Sequence, residues 1–451
     1  MSPSVIAPPP PRADLDEGTY AELRAALARN GYSEAAVLRR LGLEALPDVF
    51  EGGFHESVPL EIRDGLDALI CTFLLGRGTP RAALAELLGE PFVAACLAQE
   101  LLRLAGADAR AYATVSIQPS LPESGGAWIV SDRVIPAPEA LLPAFGGMVY
   151  PTVAPSARAF LQFLPRNSCN RFLEVCAGCG PAAVLAGEFA ASVTACDIDA
   201  RAVAFCRYNA RLNEIDGFQS NQASLYEGLG GGYDVIAAHP PFMPSDGPAE
   251  IFYGGGPDGT DLLRQLITEL PGRLTRGGIF YAVAMIPEGD SCTVEERVSQ
   301  WLGKGATGHD VFFFPLHSRS LVEVAYEATS KLGRGMGAAS RYRKSLLEMG
   351  HREFHYGALL VRRHGGGEEP IRVRRKLSPR TGWRELLWCV DWETRRKDPG
   401  RLAAMMGAPL AAAPALEVLI RHRPGAEGLE PASFAAMTHY PFEMESQLQG
   451  W

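Results

Sequence analysis

At 451 residues the chain is long enough for two or three domains, each burying its own core. Apolar residues at 47% and charged residues at 21% are ordinary for a globular protein. No apolar run approaches the ~20 residues that cross a bilayer, and a net charge of −9 argues against a molecule-wide nucleic-acid clamp, leaving only a local patch.

Residues 1–17, proline-rich from Pro8 to Pro11, lack a basic segment followed by an apolar core, so they read as a disordered tail rather than a secretory signal. Nine cysteines, mostly inside apolar segments without paired spacing, suit a reducing compartment and a cytoplasmic setting. Residues 18–135 form a first domain. Helical periodicity covers Thr19–Arg29, Glu34–Leu41 and Pro59–Leu75, the last ended by Gly76 and Gly78. Arg81–Leu88 and Phe92–Leu104 make two more helices, and Ala111–Ile117 and Ala127–Ser131 read as strands. Helices followed by a β-ribbon outline a winged helix. Arg81–Leu88 carries Arg81 against Glu86 instead of clustered bases, so a lid or docking role is favoured over DNA reading.

Pro136–Gly147 reads as a linker, and a second domain spans 148–364. After Tyr150-Pro151-Thr152 come a helix (Ser156–Phe163), a strand ending at Val175, and a glycine turn. The second strand closes on Asp197, followed by a helix over Ala200–Asn213. Strands are expected at Asn221–Leu225, Asp234–Ala238, Gly278–Met285, Asp310–Phe314 and Phe354–Val361. Helices are expected at Asp261–Leu270, with Asp258 as its cap, and at Val294–Leu302 and Ser340–Met349. Such alternation predicts an α/β fold with a seven-stranded, doubly wound parallel sheet, a Rossmann-like core. Gly365 to Pro370 is a linker into an extension, 370–451, with an edge strand at Ile371–Lys376 and a helix at Arg401–Met406. The bases around Arg372, Arg374, Arg375 and Lys376 read as a solvated face, with an anion-binding surface as the alternative. The chain closes at Gln449-Gly450-Trp451 without a polar tail, which reads as a cut end.

The turn Glu174-Val175-Cys176-Ala177-Gly178-Cys179-Gly180 lets backbone N–H groups approach a ligand at a helix start, and Asp197 offers a carboxylate to ribose hydroxyls. Together they describe an adenosine-type cofactor site. A metal or redox reading of Cys176 and Cys179 would need a second pair, which is missing. The pattern E-x-C-x-G-x-G, then Asp197, then His239-Pro240-Pro241-Phe242 resembles class I S-adenosylmethionine (SAM) methyltransferases. It resembles in particular the subgroup with an Asn-Pro-Pro-Tyr/Phe motif, which includes release-factor glutamine methyltransferases and enzymes acting on nucleic-acid bases. Cys176 stands for the first glycine and His239 for the asparagine.

The resemblance implies SAM as cofactor. Glu174, Cys176, Ala177, Gly178 and Gly180 would surround its amino-acid half, Asp197 and Ile198 its ribose, and Ser224 and Leu225 its adenine. Tyr150 would lie over the methionine end, with a strand-capping tyrosine as the alternative. Phe242 would stack on a planar acceptor, and Pro240 and Pro241 would keep the backbone rigid. His239 is read as holder of the acceptor or as a base, its ordinary pKa being about 6.5. Otherwise it caps the strand and meets SAM through its main chain. The expected acceptor is an N or O atom of a small molecule of secondary metabolism or of an amide-like side chain. The alternatives are an RNA or DNA base and a non-catalytic SAM-binding regulator. No metal or membrane partner is implied.

Overall fold

The computed structural model describes residues 9–50, 54–106, 108–119, 126–133, 148–245, 253–330, 335–365, 367–378, 380–408, 416–425, 428–438 and 441–448. The expected linker Pro136–Gly147 and the first eight residues of the expected tail lie outside them. Two compact units divide the chain: one takes residues to Gln162, then 166–241 and 253–254; the other takes 163–165, 242–245 and everything described from Gly255 onward.

The first unit opens with α1 (Glu17–Arg29) and α2 (Glu34–Leu41). The Asp16 and Ser33 side chains accept the N–H groups of Thr19 and Ala36 and so fix where these helices start. A four-residue helix, α3 (Phe54–Ser57), follows, then α4 (Gly65–Leu69), which continues as a π-helical turn over Ile70–Leu74. The single helix expected from Pro59 does not form. Asp64 accepts the Asp67 N–H and starts the helix at Gly65 instead.

Beyond β1 (Thr79–Pro80) come α5 (Arg81–Leu88) and α6 (Glu90–Ala98). Glu100, at φ 60°, turns the chain through the left-handed region, so α6 stops short of the expected Leu104. The residues beyond become β2 (Leu102–Ala105), paired with β3 (Arg110–Ala113), which also pairs with β1. The expected strand Ala111–Ile117 is therefore split. Its second half joins β4 (Ser116–Pro119), which forms a separate antiparallel ribbon with β5 (Trp128–Ser131).

The same unit continues through α7 (Pro155–Gln162), β6 (Cys169–Val175), α8 (Pro181–Ala186), β7 (Ala190–Asp197), α9 (Ala200–Leu212), β8 (Phe218–Gln222) and β9 (Tyr233–Ala238). Its four core strands are parallel in the order β9-β6-β7-β8. The carboxyl halves of β6 and β9 are buried along their whole length and apolar but for Glu174, as parallel strands covered on both faces require. β8 ends at Gln222, earlier than the expected Leu225, because Ala223 donates to the Asp197 carbonyl and Leu225 is left-handed at φ 51°.

One apolar cluster joins Tyr20, Leu27, Phe73 and Phe92 of the amino-terminal helices to Phe205, Tyr208 and Leu212 of α9. Polar clamps surround it. The fully buried Asn209 donates to the carbonyls of Val130 and Cys179, at 2.8 Å each, and accepts the Val130 N–H at 2.8 Å. Asn213 makes the matching pair of bonds to the N–H and carbonyl of Trp128. Asp132, 1% exposed, pairs with Arg201 and accepts the Val149 N–H at 2.7 Å. Glu34 and Arg158 form a further fork–fork pair.

The second unit contains α10 (Asp261–Glu269), β10 (Leu274–Glu288), α11 (Val294–Leu302), β11 (His309–Ser320), α12 (Leu321–Ser330), α13 (Met336–Glu348), β12 (Glu353–Arg363) and β13 (Arg372–Arg374). Strand order is β13-β11-β12-β10, with β12 antiparallel to both neighbours. The expected wholly parallel sheet is thus corrected. Two helices, α12 and α13, separate β11 from β12, and a helical hairpin returns the chain to the edge it left, so the next strand runs back. The strands of these two blocks number eight, against seven expected, the addition being the three-residue β13. Then follow α14 (Trp383–Arg395), α15 (Pro399–Met406) and a separate antiparallel sheet of β14 (Leu416–Gly425), β15 (Gly428–Thr438) and β16 (Met444–Leu448). Apart from β13 and α15, none of this extension was expected.

Replacing Asn209 by Leu strands one N–H and two carbonyls in an apolar cluster, each at about 1–3 kcal/mol. Chemical denaturation should show a loss of at least about 2 kcal/mol. An unchanged midpoint would contradict the clamp.

Candidate active site

β6 delivers the chain into the glycine turn. Cys176, Gly178 and Gly180 all take left-handed backbone, at φ 55°, 56° and 74°. A Cβ on Gly180 would meet the Cys206 sulfur at 2.9 Å, so the close seat of α9 against the turn requires glycine there. Around Gly178 the corresponding position is open, leaving its backbone approachable. Cys176 holds its conformation with a side chain, at a cost of about 1–2 kcal/mol, which explains why the resembling motif has glycine at this place.

The Glu174 carboxyl group lies under the start of α8, accepting the N–H groups of Ala182 at 3.3 Å and Ala183 at 2.7 Å. Burial pushes its pKa up to about 8, opposed by those two N–H groups. Ala177 donates to the Cys196 carbonyl at 3.0 Å. The cysteines are packing donors: Cys179 donates to the Tyr150 carbonyl and Cys206 to the Gly178 carbonyl, at 3.5 and 3.2 Å. Burial drives both thiols up and keeps them protonated.

At the end of β7, Asp197 accepts the Gly178 N–H at 2.8 Å through one oxygen and the Asp199 N–H at 2.9 Å through the other. Each oxygen keeps a second lone pair for a ligand hydroxyl. Its pKa is raised by desolvation and pulled back by those N–H groups. Ile198 beside it is exposed, as is Ser224, whereas Leu225 is buried and its carbonyl accepts the Cys196 thiol at 3.2 Å. Tyr150 is 38% exposed, with its main chain against the turn through Cys179. The turn, Asp197 and the Ser224-Leu225 corner therefore share one carboxyl edge of the parallel block. On the flank of β7 and β8 an open polar hollow of about 560 Å³ is lined by Arg171, Thr194, Asn221 and Tyr233. None of the expected site residues lines it.

His239 follows β9 directly. Its ring stacks on Phe160 of α7, with centroids 5.1 Å apart and planes at 11°. The residue keeps some exposure, yet its Nε2 is shielded, and burial pushes the imidazole down to about 4. The ring is neutral at physiological pH. Because the folded pKa lies below the unfolded one, this ring makes stability fall as pH drops from about 6.5 to about 4. A conjugate acid this strong is a poor match for proton removal near neutrality, whereas the neutral ring still accepts a hydrogen bond. Phe160 had no sequence signal, since nothing local marks which helical aromatic reaches a strand end.

Pro240 is buried. Phe242 belongs to the second unit, where its ring lies 5.5 Å from Tyr356, and Tyr356 stacks on His317 at 5.0 Å. A Cβ on Gly259 would fall 2.3 Å from the Phe242 carbonyl, so glycine there lets the two backbone segments cross. The expected cap role of Asp258 is corrected. Thr260 occupies the cap position, and Asp258 instead accepts from Thr260 and sits 3.3 Å from His351. Hydrogen bonds from His351 and Thr260 hold the Asp258 carboxyl down at about 2, against desolvation. Among the described residues Glu288, Glu353 and His355 group at metal-ligand spacing, but Glu288 is engaged by Arg374 and by the Val294 N–H.

Cys176→Gly removes the left-handed penalty while freeing the unfolded chain, so thermal unfolding should shift by no more than about 1 kcal/mol either way. A large destabilisation would show that the thiol carries packing the backbone does not.

Residues 148–301 match the methyltransferase small domain family. The chain is 29% identical over 153 residues to release factor glutamine methyltransferase of Deinococcus radiodurans, covering 31% of this chain and 55% of that one. It is 32% identical over 124 residues to ribosomal protein uL3 glutamine methyltransferase of Bordetella pertussis, covering 24% and 42%. It is 34% identical over 135 residues to ribosomal RNA small subunit methyltransferase C of Chromohalobacter salexigens, covering 28% and 36%. The chain thus spans between about a third and a half of the length of these relatives.

Proposed function

We propose that this chain is a SAM-dependent methyltransferase whose acceptor is the nitrogen of an amide-bearing side chain, such as a protein glutamine. The observation that carries the reading is a neutral, desolvated His239 closing a parallel strand beside a glycine turn and a ribose-ready Asp197. The names of the similar glutamine methyltransferases support the acceptor class.

Bound SAM supplies a methyl group already activated on a sulfonium. The protein's part is then positioning. The turn at Gly178, where no side chain intrudes, would receive the amino-acid half, with Glu174 holding the start of α8 beside it. Asp197 would grip the ribose, and Ser224 and Leu225 would border the adenine. The lone pair of His239 would accept the acceptor N–H, orienting nitrogen toward the methyl, while Phe160 fixes the imidazole plane. A base role for His239 is disfavoured by its low pKa. Transfer to an RNA base is the second reading, favoured by the similarity to a ribosomal RNA enzyme.

Purified protein with labelled SAM should transfer label to a glutamine-bearing protein substrate and leave it there after nuclease treatment. Label in RNA would favour the second reading; no S-adenosylhomocysteine with either would point to a regulator. Asp197→Ala should weaken SAM binding at least about tenfold by calorimetry, since each charge-assisted bond contributes ~1.5–3 kcal/mol. His239→Ala should lower kcat at least about tenfold, with Asn largely restoring it. Wild-type kcat should show no His239 step between about pH 5.5 and 8. An inflection near ~6.5 that vanishes in His239→Asn would restore the base assignment.

A further inference from the structure

The carboxyl-terminal sheet has an uncovered edge. Among the described residues β14 pairs only with β15, in the order β14-β15-β16, and all ten of its residues are exposed. Leu416, Val418, Leu419 and Ile420 are 44%, 58%, 37% and 44% exposed. Every second residue of an edge strand turns its N–H and carbonyl outward, ready for another strand. The strand has no lysine, its one proline, Pro424, lies next to the turn, and the register shift against β15 falls between Arg421 and His422, leaving Glu417 to Arg421 as a regular run.

The order of side chains selects what fits. In an antiparallel pair of two β14 strands centred on Leu419, Leu419 faces its own copy. Glu417 then lies opposite Arg421 of the copy, twice. Val418 lies opposite Ile420, also twice, on the other face. Arg421 already reaches Glu445 across its own sheet at 3.2 Å, leaving its guanidinium on the surface where a second carboxylate can join. Glu417 has no ion pair within the chain among the described residues. Shifting the centre to Ile420 sets Leu419 against Arg421 and loses the match.

We propose that β14 is the interface of a homodimer, pairing antiparallel with β14 of a second copy about a two-fold axis at Leu419, so that two three-stranded sheets become one of six. The apolar row Leu416, Val418, Ile420 then continues across the join into its copy. Self-complementarity of charge makes the occupant a second molecule of this chain rather than a generic apolar partner. The inference stands apart from the methyl-transfer reading.

The test is mass measurement by light scattering on the full chain over a concentration series. Wild type should pass from monomer to dimer mass. Glu417→Arg sets arginine against Arg421, and Arg421→Glu sets glutamate against Glu417, so each variant by itself should stay monomeric. An equimolar mixture of the two variants restores both opposite-charge pairs and should return to dimer mass. Unchanged melting temperatures of the variants would exclude misfolding. Wild type that stays monomeric at every concentration would overturn the proposal. So would dimers indifferent to either reversal, or a mixture that fails to reassociate.

Discussion

The constraint on which the first unit depends is the satisfaction of one buried amide. Asn209 sits inside α9 with no exposure, and the bonds its side chain makes to Val130 and Cys179 leave its own helix. It holds both backbone groups of Val130 in the ribbon and the carbonyl of Cys179 in the glycine turn. An amide in such surroundings tolerates no partial arrangement, because any group left unpaired carries its full desolvation cost. The turn that would receive a cofactor is therefore set by the same residue that docks the ribbon onto α9, and Asp132 with Arg201 repeats the link by charge.

Desolvation is the common theme of the site's electrostatics. Glu174, Asp197 and the surrounding thiols are all pushed up, and His239 is pushed down, each with burial as the largest cause. Burial of this kind strengthens the interaction between charges brought together there while it penalises each charge alone. Backbone N–H groups, not cations, oppose the shifts at Glu174 and Asp197, so the edge is tuned by helix and turn geometry.

What the sequence made legible follows from locality. The E-x-C-x-G-x-G turn, Asp197 and the His-Pro-Pro-Phe run are contiguous, and periodicity placed α2, α5 and α11 to the residue. The helix imagined from Pro59 failed because one capping aspartate outweighed an apolar pattern, and α6 overran because Glu100 is not a residue expected to turn left-handed. The reversal of β12 was hidden by the unrecognised helix α12, without which strand and helix alternate simply. Phe160 beneath His239, Tyr356 beside Phe242 and Asn209 beneath the turn come from distant segments, and no spacing rule announces such meetings. β14 escaped because its apolar residues sit on both faces of an uncovered edge.

The way α9 is enclosed has a consequence for how this protein can be shortened. Phe205, Tyr208 and Leu212 complete the same apolar cluster as the helices before residue 100. A chain trimmed to begin at Met148 would hold the turn and its acids but lay that helix bare, with Asn209 facing water where a ribbon had been. Everything ahead of Met148 that packs there is thus a wall of the methyltransferase-like part, not a detachable appendage.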